Sequence, residues 1–234
     1  MVEQAYARSE TLMFESDLDE QSSVEGRSKG WAATQYPPGD SLKNHVSSEV
    51  YSNVQVYLIE VRVDPTRFDS TKPFMLSIAL TEYAAEKLGL DKSRSIDRHF
   101  WDRAKRDMKR VIPLESFDQT LKILTSLNDS QQEYLLTETL RDIAKTNHMM
   151  QDVTTAWLHG DTDKIDKLVF EAVRRNPEVG KILTADRNKK WMPSIEAEIK
   201  RGEKLFIAVG LGHLLGKDSL VDLLLKRGFK VRQL

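Results

Sequence analysis

In the segment FIAVGLGHLLG, Phe206 to Gly216, one histidine, His213, follows a hydrophobic run that is broken by Gly210 and Gly212. Phe206 to Val209 read as a buried strand, and the glycines admit backbone angles that a side chain forbids. Leu214, Leu215, Leu220, Leu223 and Leu224 then recur at helical spacings. Gly228 supplies a stop, and Phe229 to Val231 start another strand. The pattern places His213 at the carboxyl end of a strand and near a helix start, exposed at the edge where open α/β sheets gather ligands. An imidazole there can bind a metal, shuttle a proton or simply cap the helix. Gly210, Gly212 and Gly216 also offer backbone amides to a phosphate. The dinucleotide pattern, however, needs an acidic residue about 20 positions on, and the chain has Lys230 and Arg232 there.

Several other segments must position this turn. Residues 2 to 9 read as the end of a helix, and Thr11 to Phe14 as a short strand running into the acidic cluster Glu15, Asp17, Asp19 and Glu20. Residues 21 to 44, with GRSKG and YPPGD, read as an irregular surface loop. Ser47 to about Val63 reads as a helix, although the β-branched residues of VQVYLIEVRV let a strand compete. Pro73 opens the next helix, whose Leu76, Leu80, Tyr83, Ala84 and Leu88 follow the period of 3.6 before Gly89. A third helix covers 95 to 107, and Arg110 to Leu114 read as a buried strand with Glu115 at its end. Asp129 or Ser130 caps a long helix toward His159, and Asp161 starts another. His45, His99, His148 and His159 lack ligand spacing and read as ordinary. The expected class is α/β, a small, mostly parallel sheet with a strand-end site and a large helical insertion.

Composition narrows the function classes. The 234 residues include 35 Lys and Arg against 36 Asp and Glu, so no charge excess points to nucleic acid. The absence of cysteine removes disulfides, thiolate metal sites and cysteine nucleophiles. No run of about 18 apolar residues offers a membrane span, and no signal peptide is visible. The chain reads as soluble as given, with compartment and homo-oligomerisation left open.

The order of segments resembles the TraB/GumN family, related to the Tiki metalloproteases and more distantly to erythromycin-esterase and ChaN-like proteins. The matching pieces are VEQAYARSETLMFESDLD (2 to 19), GLDKSRSIDRHF (89 to 100), VIPLESFDQTLKIL (111 to 124), AWLHGD (156 to 161), ADRNKKWMPSI (185 to 195) and VGLGHLLGKDSLVDLLLKRGFKV (209 to 231). The resemblance implies a metal-dependent, peptidase-like hydrolase built on two G-x-x-H turns, an acidic residue and an arginine. The second turn is Gly210 to His213, with His213 as metal ligand. Glu15 corresponds to the acidic residue, as ligand or base, and Arg187, followed by Asn188, to the arginine that polarises substrate. Asp97, Glu115, Asn188, Gly210 and Gly212 are expected to support the site or substrate.

The cofactor implied is a divalent metal, Mn, Co or Zn, and the substrate a peptide or small molecule. The resemblance places the first G-x-x-H some 20 residues before Glu15, where this sequence has none. The expectation is therefore one domain over 1 to 234, incomplete at its amino end and with impaired activity, carrying a helical insertion over about 47 to 200. An exported or membrane-anchored intact protein is compatible with this. The alternative is a non-catalytic protein binding a peptide, ligand or partner on the same fold.

Overall fold

The computed structural model describes residues 2–91, 95–169 and 171–233, without the side chains of 146–150, 169, 172 and 173; His148 thus lies outside the described side chains. In chain order the elements are α1 (Val2–Arg8), β1 (Thr11–Ser16), α2 (Leu18–Ser22), α3 (Val24–Thr34), α4 (Ser48–Glu60), α5 (Pro73–Lys87), α6 (Ile96–Arg106) and β2 (Arg110–Glu115). There follow α7 (Phe117–Thr125), α8 (Asp129–Leu158), α9 (Thr162–Val169), α10 (Glu171–Arg175), α11 (Pro177–Gly180), α12 (Asp186–Lys200), β3 (Leu205–Ala208) and α13 (Leu220–Lys226). Two units emerge. The first comprises Met1–Ser23, Ser93–Thr120 and Val153–Leu234; the second, Val24–Lys92 and Leu121–Asp152, interrupts it twice in sequence.

The first unit is built on a parallel sheet in the order β2-β1-β3. Thr11 pairs with Arg110 and Leu205, and Ser16 with Glu115, so all three strands end at one edge. Alternation along β1 sends Leu12 and Phe14 to one face, where Tyr6, Phe100, Trp101 and Ala104 cover them. Met13 faces the other side, against Trp191, Met192, Ile195, Leu220 and Leu223. Both faces are thus covered by helices, as a parallel sheet requires. The chain is α/β with a small parallel sheet.

The second unit is helical. Ser47 caps α4 by accepting from the Val50 amide, and Val50, Val54, Tyr57 and Leu58 recur on its inward face, so the helix wins over the competing strand. Leu76 and Leu80 of α5 and Leu136 of α8 complete this core.

Three expectations are corrected. Residues 24–34 form α3 instead of loop; the helix buries only Gly26 and Thr34, so it carries almost no apolar periodicity to read. Phe229 to Val231 form no strand, because Gly228 turns the chain at φ 84° and no sheet strand pairs with them. Leu214 and Leu215 lie outside α13, which starts at Leu220 behind its Ser219 cap. Among the described residues, no helix is long and apolar enough to cross a membrane.

Candidate functional site

Strand ends and one helix bring the chemistry-bearing side chains together within the first unit. Glu15 stands one residue before the end of β1, Glu115 closes β2, and Gly210 follows β3 by two residues. Arg187, Asn188 and Trp191 lie in the first turns of α12, and all three are buried. A π-helical turn over Lys181–Ala185 leads directly into this helix, a distortion that often accompanies functional sites.

Arg187 is the hub. Its Nε and Nη2 donate to the two oxygens of Glu115, both at 2.9 Å, and Nη2 also donates to Glu15 Oε1 at 2.7 Å. Nη1 donates to the Leu183 carbonyl at 3.2 Å and lies 3.4 Å from His213 Nε2. These five contacts engage all five N–H donors of a guanidinium. Burial works against the charge of Arg187, but its two carboxylate partners outweigh that and hold its pKa above the ordinary value. Glu115 also accepts from Trp191 Nε1 at 2.9 Å, and the Trp191 ring lies beneath the guanidinium at 5.0 Å.

His213 is 4% exposed, which corrects the expected surface position. It ends a short 3₁₀ turn, Leu211–His213, and its ring packs 4.4 Å from that of Trp191. Nδ1 lies 2.7 Å from Asn188 Oδ1. The Asn188 amide nitrogen donates to the Asp218 carbonyl at 2.9 Å, so Oδ1 must be the group facing the imidazole. His213 therefore donates from Nδ1 and leaves a lone pair on Nε2. Asp218 adopts φ 59°, uncommon for a non-glycine residue, which aims its carbonyl at Asn188.

Gly210 and Gly212 serve a different purpose from the one expected. Gly210 has φ −55°, and neither glycine adopts positive φ. What they provide is room: a Cβ on Gly210 would lie 3.4 Å from Glu15 Oε2, and one on Gly212 3.4 Å from Thr184. The Gly210 amide donates to Glu15 Oε2 at 3.2 Å, while the His213 and Leu214 amides bond back within the turn. The turn has therefore committed these amides, which disfavours a phosphate cradle.

Burial raises the Glu15 pKa, but neighbouring His213, the Arg187 charge and the Gly210 amide together pull it down to about 2. Asp97, on the first turn of α6, keeps an exposed surface; crowding and then the Glu15 charge push its carboxyl up. Glu15, Glu115, Arg187, Asn188, Gly210 and His213 thus converge, whereas Asp97 acts only through charge and Gly212 only through packing. Trp191 is the participant the sequence reading missed. Its four-residue spacing from Arg187 puts both on one helix face, a signal that was available.

The donor chemistry bears on a metal. His213 Nε2 and Glu15 Oε1 are 3.7 Å apart, and the Nδ1 bond to Asn188 is the outer support typical of a ligating histidine. That pair fits half of a divalent shell. No group of three or more potential His, Cys, Asp or Glu ligands occurs among the described residues.

The "Uncharacterized protein YbaP" of Escherichia coli (strain K12) is 26% identical over 188 residues, covering 80% of this chain and 69% of its own length, and that of Shigella flexneri matches equally. No solved structure matches. The TraB/PrgY/gumN family model matches residues 1–233, and the chain belongs to that family.

Proposed function

We propose that this chain carries a metal-dependent hydrolase site for peptide-like or small-molecule substrates, with His213 and Glu15 as the metal-facing pair. The observation that carries the reading is the 3.7 Å approach of a carboxylate oxygen to an imidazole nitrogen, Nε2, whose ring is oriented by the Nδ1 bond to Asn188. When bound, a divalent ion such as Mn, Co or Zn supplies an acidified water as nucleophile near neutral pH. Glu15, with a pKa near 2, stays ionised and is better suited to anchor a cation than to accept a proton. Asn188 holds the imidazole in the ligating tautomer. Arg187 has every donor engaged, so its contribution is a fixed positive charge beside the reacting group. Glu115 positions that charge, and Trp191 walls the site from solvent.

The test is metal stoichiometry and peptide cleavage by the full chain, wild type against His213→Ala. Stoichiometric divalent metal and cleavage in wild type, both lost in the variant, support the reading. No specific metal in wild type ends it. A non-catalytic binding role is the second reading, favoured by one observation: Arg187 already satisfies both metal-facing atoms. Under that reading, ligand binding survives substitution of His213 and Glu15.

A further inference from the structure

The position of Arg187 relative to the two proposed ligands has a consequence for how the site loads. Nη2 lies 2.7 Å from Glu15 Oε1 and Nη1 lies 3.4 Å from His213 Nε2, so one rigid cation bridges the atoms a divalent ion would bridge. Resting on the hydrolase reading, we propose that Arg187 is a built-in competitor for the metal, weakening divalent-ion binding at Glu15 and His213 and keeping that ion exchangeable.

Three features hold the competitor in place. The carboxylate of Glu115, itself 5% exposed, grips Nε and Nη2 as a fork. The Leu183 carbonyl takes one N–H of Nη1, and the Trp191 ring underlies the guanidinium. Glu115 is in turn tied to Trp191 Nε1 and to Thr120 Oγ1, at 2.9 and 3.3 Å. A guanidinium so anchored cannot swing clear at low cost. An incoming ion must take Glu15 Oε1 from Nη2 and then remain near an unmoved positive charge. Two positive charges within a few ångströms in a largely water-excluded site repel strongly.

The same contacts draw the pair together. Arg187 offsets the charge of Glu15 and fills the space beside the His213 lone pair, which holds the two candidate ligands close together. The site is pre-assembled, and the residue that assembles it also limits its affinity.

The sign of one measurement decides the matter. Mn2+ is titrated into the full-length protein while its free concentration is read by electron paramagnetic resonance, with calorimetry as a second readout. Arg187→Gln alone leaves Glu115 buried and unpaired, so the decisive variant is Arg187→Gln with Glu115→Gln, checked for cooperative thermal unfolding. The expected result is at least about tenfold tighter Mn2+ binding than wild type. The gain should vanish when His213→Ala is added. Equal or weaker binding in the folded double variant overturns the inference, as it would mean that Arg187 merely supports the site. In that case the hydrolase reading still stands if wild type binds metal through His213. A gain that persists without His213 places the ion elsewhere and also overturns the inference. Absence of specific Mn2+ binding in every variant overturns the inference, and the same absence with Co2+ and Zn2+ ends the hydrolase reading as well.

Discussion

His213 and His45 are opposite solutions to the same side chain. In the second unit, His45 has Asp40 Oδ2 2.8 Å from Nε2 and Asp129 Oδ2 2.9 Å from Nδ1, so both nitrogens must donate and the ring is an imidazolium. Tyr36 stacks on it at 4.0 Å. In the first unit, His213 meets a neutral amide at one nitrogen and keeps a lone pair at the other. Acceptors, more than burial alone, decide which histidine can ligate and which is a structural cation. His213 fits chemistry because an amide oxygen holds Nδ1 and Nε2 is turned toward Glu15; His45 is fully consumed by the contacts that hold its loop.

The contrast breaks first on stability. Arg187→Ala leaves Glu115 buried without its partner and should cost roughly 3–5 kcal/mol in denaturant unfolding. Asp129→Ala removes a carboxylate whose side chain is 64% exposed, and should cost at most about 1 kcal/mol. Comparable losses would mean that the two clusters are energetically alike. A smaller effect is expected in acid. The folded pKa of Glu15 lies below its unfolded value, so its contribution is present above pH 4.5 and disappears as pH falls through about 2. Allowing for a carboxylate that is a third exposed, the contribution is on the order of 2 kcal/mol. Unfolding midpoints of Glu15→Gln against wild type across that window test this: wild type should lose its advantage, and a constant difference would contradict it.

His45 should respond in the opposite direction, and more weakly. The bond to Asp129, then that to Asp40, raises its pKa above 6.5. Its contribution is therefore complete below pH 6.5 and lost as pH rises through the folded value. His45→Gln should remove a modest alkaline decline in stability. A pH titration of the ring by NMR that yields a pKa below 6.5 would contradict the imidazolium assignment.

Legibility in sequence follows the same division between local and distant causes. β1, β2 and β3 were readable because apolar runs bounded by charge or glycine are local signals, and their common edge follows from parallel pairing. Glu15, Glu115 and His213 were therefore placed at strand ends from sequence alone. The bond between Arg187 and Glu115, 72 positions apart, has no local signature, and next to Lys189 and Lys190 the arginine resembles part of a solvated helix face. The burial of His213 depends on Asn188 and Trp191, which only the packing of α12 brings to it. α3 was unreadable for the reverse reason: GRSKG resembles a turn, while the helix is supported by local bonds such as Glu25 to Lys29.

The smallest effects separate two kinds of glycine. Gly39, in the second unit, has φ 92°, and an added Cβ would meet nothing within 4 Å; Gly210 has an ordinary φ of −55°, but its Cβ would meet Glu15 Oε2 at 3.4 Å. Gly39→Ala should cost about 1 kcal/mol through backbone strain alone, despite touching nothing. Gly210→Ala escapes that strain and restricts the unfolded chain, a gain of roughly 0.4–1 kcal/mol that offsets the crowding. Its net change should stay within about 0.5 kcal/mol, so stability barely reports it. The displaced carboxylate does: a shift of Glu15 away from the Gly210 amide weakens one of the interactions that depress its pKa, and the acid transition should move to higher pH. If Gly210→Ala unfolds the protein more than Gly39→Ala, Glu15 cannot yield even a few tenths of an ångström, and the clamp around Arg187 is stiffer than its half-buried edge implies.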